Sequence, residues 1–180
     1  MRIAFTNATI WTAAGDPLEG ASLLIDGGKV VAVGPEVDTD GAEVVDCSGK
    51  VITPGFIDCH SHAGVSGEGV MGDGDVNEMS EPIAPHVRML DAIHPEDLGF
   101  ADARRGGVTT MGITHGSALA IGGQVAATKT AGTVADDMVI REPAGLKMAL
   151  GENPKRVGER GKRAPMTRGG TAFLARKAFT

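Results

Sequence analysis

The chain has 180 residues, room for one medium domain or two small ones, and is 42% hydrophobic and 22% charged, an ordinary globular balance. A net charge of −6 and a pI near 5.3 exclude nucleic acid and anionic membrane surfaces as main partners, because neither attracts an acidic chain. Cys47 and Cys59 are too few for a disulfide scaffold, and with no signal-peptide layout and no apolar run near the roughly 20 residues that span a bilayer, a reduced cytoplasmic protein is expected.

The first 54 residues read as short strands and turns. RIAFTNATIWT is rich in β-branched residues. Leu23-Leu24-Ile25 and Val30-Val31-Ala32-Val33 flank Asp26-Gly27-Gly28, a hairpin signal because the turn needs positive φ. Two further short strands lie around Ser48-Gly49. Residues 1–54 are therefore expected to form an all-β module.

A short buried strand is expected at 56–60, followed by a Gly-, Asp- and Ser-rich loop with little regular structure before about Ser80. HPEDLGFADARRGG carries helix punctuation: Pro95 in the first turn, Glu96 and Asp97 at the positive dipole end, Arg104-Arg105 at the negative end, Gly106-Gly107 as the stop. VTTMGITHG reads as a strand, SALAIGGQVAATKTAG as a Gly-rich loop, 133–140 as a short helix, AGLKMALG as a strand ending at Glu152, and the tail as helical from about Thr171. Strands alternating with helices predict parallel β/α units over 55–180.

The chemistry concentrates in VITPGFIDCHSHAG. Side chains at i and i+2 of a strand share a face, so Asp58, His60 and His62 project together at its carboxyl end, where β/α proteins bind ligands. Two imidazoles so placed can share a divalent ion at about 2.0–2.1 Å. Zinc is the first expectation, with manganese, iron or nickel as alternatives. A bare H-x-H is weak evidence, since many such pairs are surface histidines. The Pro-Gly turn, the apolar strand, the same-face Asp58 and the following Gly64 strengthen it.

TPGFIDCHSH resembles the P-G-[FL]-[IV]-D-x-H-x-H signature of the amidohydrolase superfamily. IDGGKVVAVGP and VVDCSGKVITPG resemble the β-sandwich carried before the barrel in that superfamily, and GGVTTMG its second barrel strand. The resemblance covers residues 1–155, with imidazolonepropionases and N-acetylglucosamine-6-phosphate deacetylases among similar members. It implies an α/β fold: the N-terminal strands of a composite β-sandwich (1–54) and the first three β/α units of an incomplete (β/α)8 barrel (55–180). It also implies hydrolysis of a C–N bond, amide or cyclic amide, by metal-activated water acting on a small-molecule substrate.

On this resemblance His60 and His62 are metal ligands. Asp58 either orients one of their imidazoles or caps strand-end amides. Superfamily members complete the site with a carboxylated lysine or a strand-end glutamate. Glu152 suits the second type, and Lys147, mid-strand, is the weaker candidate for the first. His115, Ser117 and Gln124 would contact substrate, or else structure their loop. His86 and His94 read as surface or capping residues. Glu68, Asp73 and Asp75 are minor candidates for a second metal.

Such a barrel runs to about 250 residues, and only three of its strands are found here, at 51–60, 108–114 and 146–151. The later histidines and the aspartate general base have no counterparts. The chain is thus expected to be a fragment, a truncated frame or half of a partnered enzyme, inactive alone, with the missing half or a second copy as partner. Two rivals stand beside this reading. One is a non-catalytic paralogue that keeps a metal half-site. The other is a cupin-like barrel using Gly55, His60, His62, Glu68 and Gly74, which the β/α alternation after residue 95 argues against.

Overall fold

A computed structural model describes residues 1–68 and 74–180. They form two compact units, Met1–Pro54 and Gly55–Thr180.

The first unit is one mixed sheet. Strands β1 (Arg2–Ile10), β2 (Leu18–Asp26), β3 (Lys29–Gly34), β4 (Glu43–Asp46) and β5 (Val51–Ile52) run in the order β3-β2-β1-β4, with β5 also on β1. The β2–β3 hairpin forms where expected: Asp26 pairs with Lys29 across Gly27 and Gly28, whose φ values of 56° and 77° only glycine adopts without cost. β4 and β5 pair parallel to β1. Ala8, Ile10, Ala21 and Cys47 bury together beneath Phe5, Leu18, Leu23, Val45 and Ile52. Residues 1–54 thus form one layer, and the second layer that a composite sandwich would need is not among the described residues. All five strands belong to one hydrogen-bonded sheet, with β4 and β5 both on β1, and Val30, Val31, Val44 and Val51 stay exposed.

The second unit holds a four-stranded sheet, β6 (Phe56–Ser61), β7 (Val108–Ile113), β8 (Ile121–Lys129) and β9 (Val139–Met148), in that order. Helix α1 (Leu98–Arg105) links β6 to β7, which pair parallel, so the first β/α unit forms as expected. Asp97 caps α1. It is buried, and its carboxylate accepts from the Gly99 amide at 2.8 Å and from Glu68 N at 3.1 Å, tying the preceding loop to the helix. Phe100 of α1 packs with Val65, Met89, Leu90, Ile93, Met111 and Ile113 in the main core.

Beyond β7 the parallel expectation fails. The segment read as a Gly-rich loop is β8, antiparallel to β7, and β9 returns antiparallel to β8. The third strand begins at Val139 and is the second arm of a hairpin, not a third parallel β/α unit. The short helix between them, α2 (Ala135–Met138), spans four residues, too few for the crossover that parallel pairing needs. The strand at 56–60 is also not buried. β6 is an edge strand, with Ile57 73% exposed. Two helices close the chain. α3 (Glu152–Arg160) was not anticipated, and α4 (Arg168–Ala178) starts three residues before the expected point, capped by Thr167, whose hydroxyl accepts from Gly170 N at 3.0 Å.

Candidate metal centre

His60 lies one residue before the end of β6 and His62 one residue after it. Their rings stand edge to face with centroids 5.5 Å apart, on one side of the strand. The parallel pairing with β7 fixes this geometry. Ser61 sits opposite Ile113, and Thr114 N donates to Ser61 O at 2.9 Å. That register brings the Thr114 carbonyl oxygen to 2.8 Å from His62 Nδ1. A carbonyl only accepts, so Nδ1 carries the proton and Nε2 keeps its lone pair free, the tautomer of a metal-ligating histidine.

Asp58 takes the second of its two expected roles. Its Oδ1 accepts from the His60 backbone amide at 3.0 Å, holding the strand end rather than an imidazole. The third partner of the pair is Lys147 on β9, whose Nζ lies 3.2 Å from His60 Nε2. Burial holds the Lys147 amine below the usual lysine range, because an ammonium loses hydration there. His60, Ser117, Lys147, Glu152 and Asn153 line one cleft of about 350 Å³.

Glu152 reaches this cleft without closing on the histidines. It opens α3, and both its carboxylate oxygens accept from Lys155 Nζ one turn on, at 2.9 and 3.0 Å. That pairing holds its carboxyl below the usual range, helped by the nearby Arg168 and Arg156. Among the described residues no three His, Cys, Asp or Glu side chains converge at metal-binding distance. The donor set is two imidazoles and an adjacent lysine amine, a half-site that fits a borderline-soft divalent ion and leaves positions open.

The remaining candidates are dispersed. Ser117 lies in the His60 cleft. Gln124 lies elsewhere, and its Nε2 donates to Pro85 O at 3.2 Å. His115 is 2% exposed and faces a different cavity, shared with Asp75, His86 and Asp91. Burial depresses its pKa. The Val87 and Gln124 backbones oppose that shift, while Lys147 and His62 add to it. His94 is exposed, and its backbone N donates to Gly64 O. Glu68 serves α1 through its backbone, donating to Asp97 and accepting from Leu98 N. Asp73 lies outside the described residues. Thr114 was missed in sequence because it acts through a main-chain carbonyl, which carries no residue signal.

No protein-family model matches the chain. It is 34% identical over 206 residues to the amidohydrolase tasK of Hapsidospora irregularis, covering 96% of this chain and 21% of that protein. It is 32% identical to an imidazolonepropionase of Sphingopyxis alaskensis, covering 81% of this chain and 41% of that one. The crystal structure of an amidohydrolase from Thermotoga maritima MSB8 superposes with a TM-score of 0.91 at 42% identity, covering 98% of this chain and 46% of the other. The chain thus spans less than half the length of each of these relatives.

Proposed function

This chain belongs to the amidohydrolase superfamily, and from that premise we propose that it carries the metal-anchoring part of a hydrolase acting on C–N bonds of a small molecule. The observation that carries the reading is the pair of imidazoles 5.5 Å apart with His62 Nδ1 fixed on the Thr114 carbonyl. His60 and His62 would hold the ion, with zinc first and manganese, iron or nickel as alternatives. A divalent ion supplies Lewis acidity there, polarising a carbonyl and acidifying water near neutral pH. The chain's own residues do the positioning. Thr114 orients His62, Asp58 braces the strand end through the His60 amide, and Ser117 and Asn153 wall the cleft. Residues 1–54 would supply sandwich strands and 55–180 the opening strands of a barrel whose other strands come from outside this sequence.

For the third protein ligand the geometry favours Lys147 over Glu152. Lys147 Nζ is within contact of His60, whereas Glu152 is spent on Lys155. A neutral Lys147 amine would add to dissolved carbon dioxide, forming an N–C bond and releasing one proton. The resulting carbamate is an anionic oxygen donor, the carboxylated-lysine type of site.

Elemental analysis of the purified chain after zinc loading and desalting tests this. About one zinc per chain is expected. His62→Ala should bind at least about tenfold more weakly, Lys147→Met should also lose affinity, and Glu152→Gln should bind like the parent. A parent chain that retains no zinc would contradict the reading.

A further inference from the structure

Next to the His60 cleft lies a second hollow of about 310 Å³ whose polar wall holds two arginines with Asn77, Ser117 and Asn153. Arg156 and Arg160 stand one turn apart on α3, and Asn153 stands one turn before Arg156, so the three share a helix face. Neither guanidinium is in an ion pair among the described residues, whereas Arg88, Arg105 and Lys155 each have a carboxylate partner. No Asp or Glu lines the hollow. On its far wall Asn77 uses Oδ1 to accept from Ala118 N at 3.1 Å, so this side chain is held in place at the rim of the hollow. Ser117 and Asn153 line both this hollow and the His60 cleft, so the two are neighbours with a common wall.

The charge around the hollow is one-sided. Residues 152–180 carry eight Lys or Arg against two Glu, in a chain that is net acidic overall. Arg163 pins the facing loop by donating to the Met79 and Ser80 carbonyls, so the basic segment and the Asn77 wall are held together. A planar guanidinium presents paired donors that match the oxygens of a carboxylate or phosphate, and two on one face make a fork for such a group.

We propose that Arg156 and Arg160, with Asn77, Ser117 and Asn153, form a subsite for an anionic group of the substrate, a carboxylate or a phosphate, while the bond to be cleaved lies at His60 and His62. The assignment of the second location rests on the metal-centre reading above; the anion subsite itself does not. The substrate class is then an amide or cyclic amide bearing a negatively charged arm long enough to cross the Ser117–Asn153 wall.

The test titrates the 180-residue chain, freed of metal by chelator, with inorganic phosphate and separately with glutarate, following the arginine side-chain N–H signals by NMR. Saturable shifts are expected for one or both anions, and the better binder identifies phosphate or carboxylate as the arm. In Arg156→Gln/Arg160→Gln that dissociation constant should rise by about tenfold or more, equivalent to losing one charge-assisted bidentate contact. Arg156→Lys/Arg160→Lys, which keeps charge but not the fork, should fall between. Binding should weaken with added sodium chloride. Both arginines are exposed, and thermal melting of each variant alongside the parent shows that the fold is kept. Absence of saturable shifts in the parent, or equal affinity in the glutamine variant, overturns the proposal. Zinc content measured on the same samples reports on the metal reading separately, and should be unchanged by the arginine substitutions.

Discussion

At the residue scale, the ligand pair depends on groups that are not ligands. The Thr114 carbonyl fixes the His62 tautomer, and that carbonyl is placed by the β6–β7 register. A Cβ at Gly112 would lie 2.7 Å from the Cys59 carbonyl oxygen of β6. Gly112→Ala should therefore push the two strands apart, costing about 1–3 kcal/mol and weakening zinc binding. Denaturant unfolding and a zinc competition assay check both. His115 sets a pH signature. Burial lowers its folded pKa below the ordinary value of 6.5, so between the two values the unfolded chain binds more protons and stability falls as pH drops. Melting temperatures across pH 5–8 should decline on the acid side, and less so in His115→Gln. An identical acid-side decline in that variant would contradict the assignment. His60, His62 and their shared face were legible in sequence because strand periodicity is 2. Lys147 was underrated because strand position says nothing of which neighbour a long side chain meets.

At the element scale, local signals worked where punctuation was chemical and failed where it was compositional. The β2–β3 hairpin was readable from Gly27-Gly28 and α1 from Asp97 and Gly106, although α1 begins at Leu98, beyond Pro95, which was expected in its first turn, because the Asp97 carboxylate caps the helix there. β8 was not, because IGGQVAATK has the Gly and Ala content of a loop. Its strand state comes from pairing on both sides, with β7 and β9, and tertiary pairing overrides weak propensity. α3 contains Pro154 and Gly158, both weak helix formers, but Pro154 sits in the first turn, where its missing N–H costs nothing. Phe100, 1% exposed, joins α1 to the core under β7. Phe100→Ala should cost about 3–5 kcal/mol, seen as a lowered denaturation midpoint.

At the scale of the whole molecule, the mixed strand and helix content was visible in strand, turn and cap signals, while the layering was not. A single sheet in 1–54 and an antiparallel hairpin in the second unit are outcomes of pairing over long separations, which no local pattern encodes. The edge strand β6 leaves Phe56 and Ile57 exposed, 56% and 73% respectively. A bare apolar edge recruits further strands, so the chain should self-associate with rising concentration, and Ile57→Lys should reduce this in light scattering. No described helix is long and apolar enough to cross a membrane.

The central claim, that His60 and His62 grip one divalent ion, is tested most directly by X-ray absorption at the zinc edge of the loaded chain. The expected spectrum shows imidazole scattering from two nitrogens at about 2.0–2.1 Å, lost together in His60→Ala/His62→Ala. A sulfur shell from Cys59, an oxygen-only shell, or a spectrum unchanged by that double substitution would contradict it.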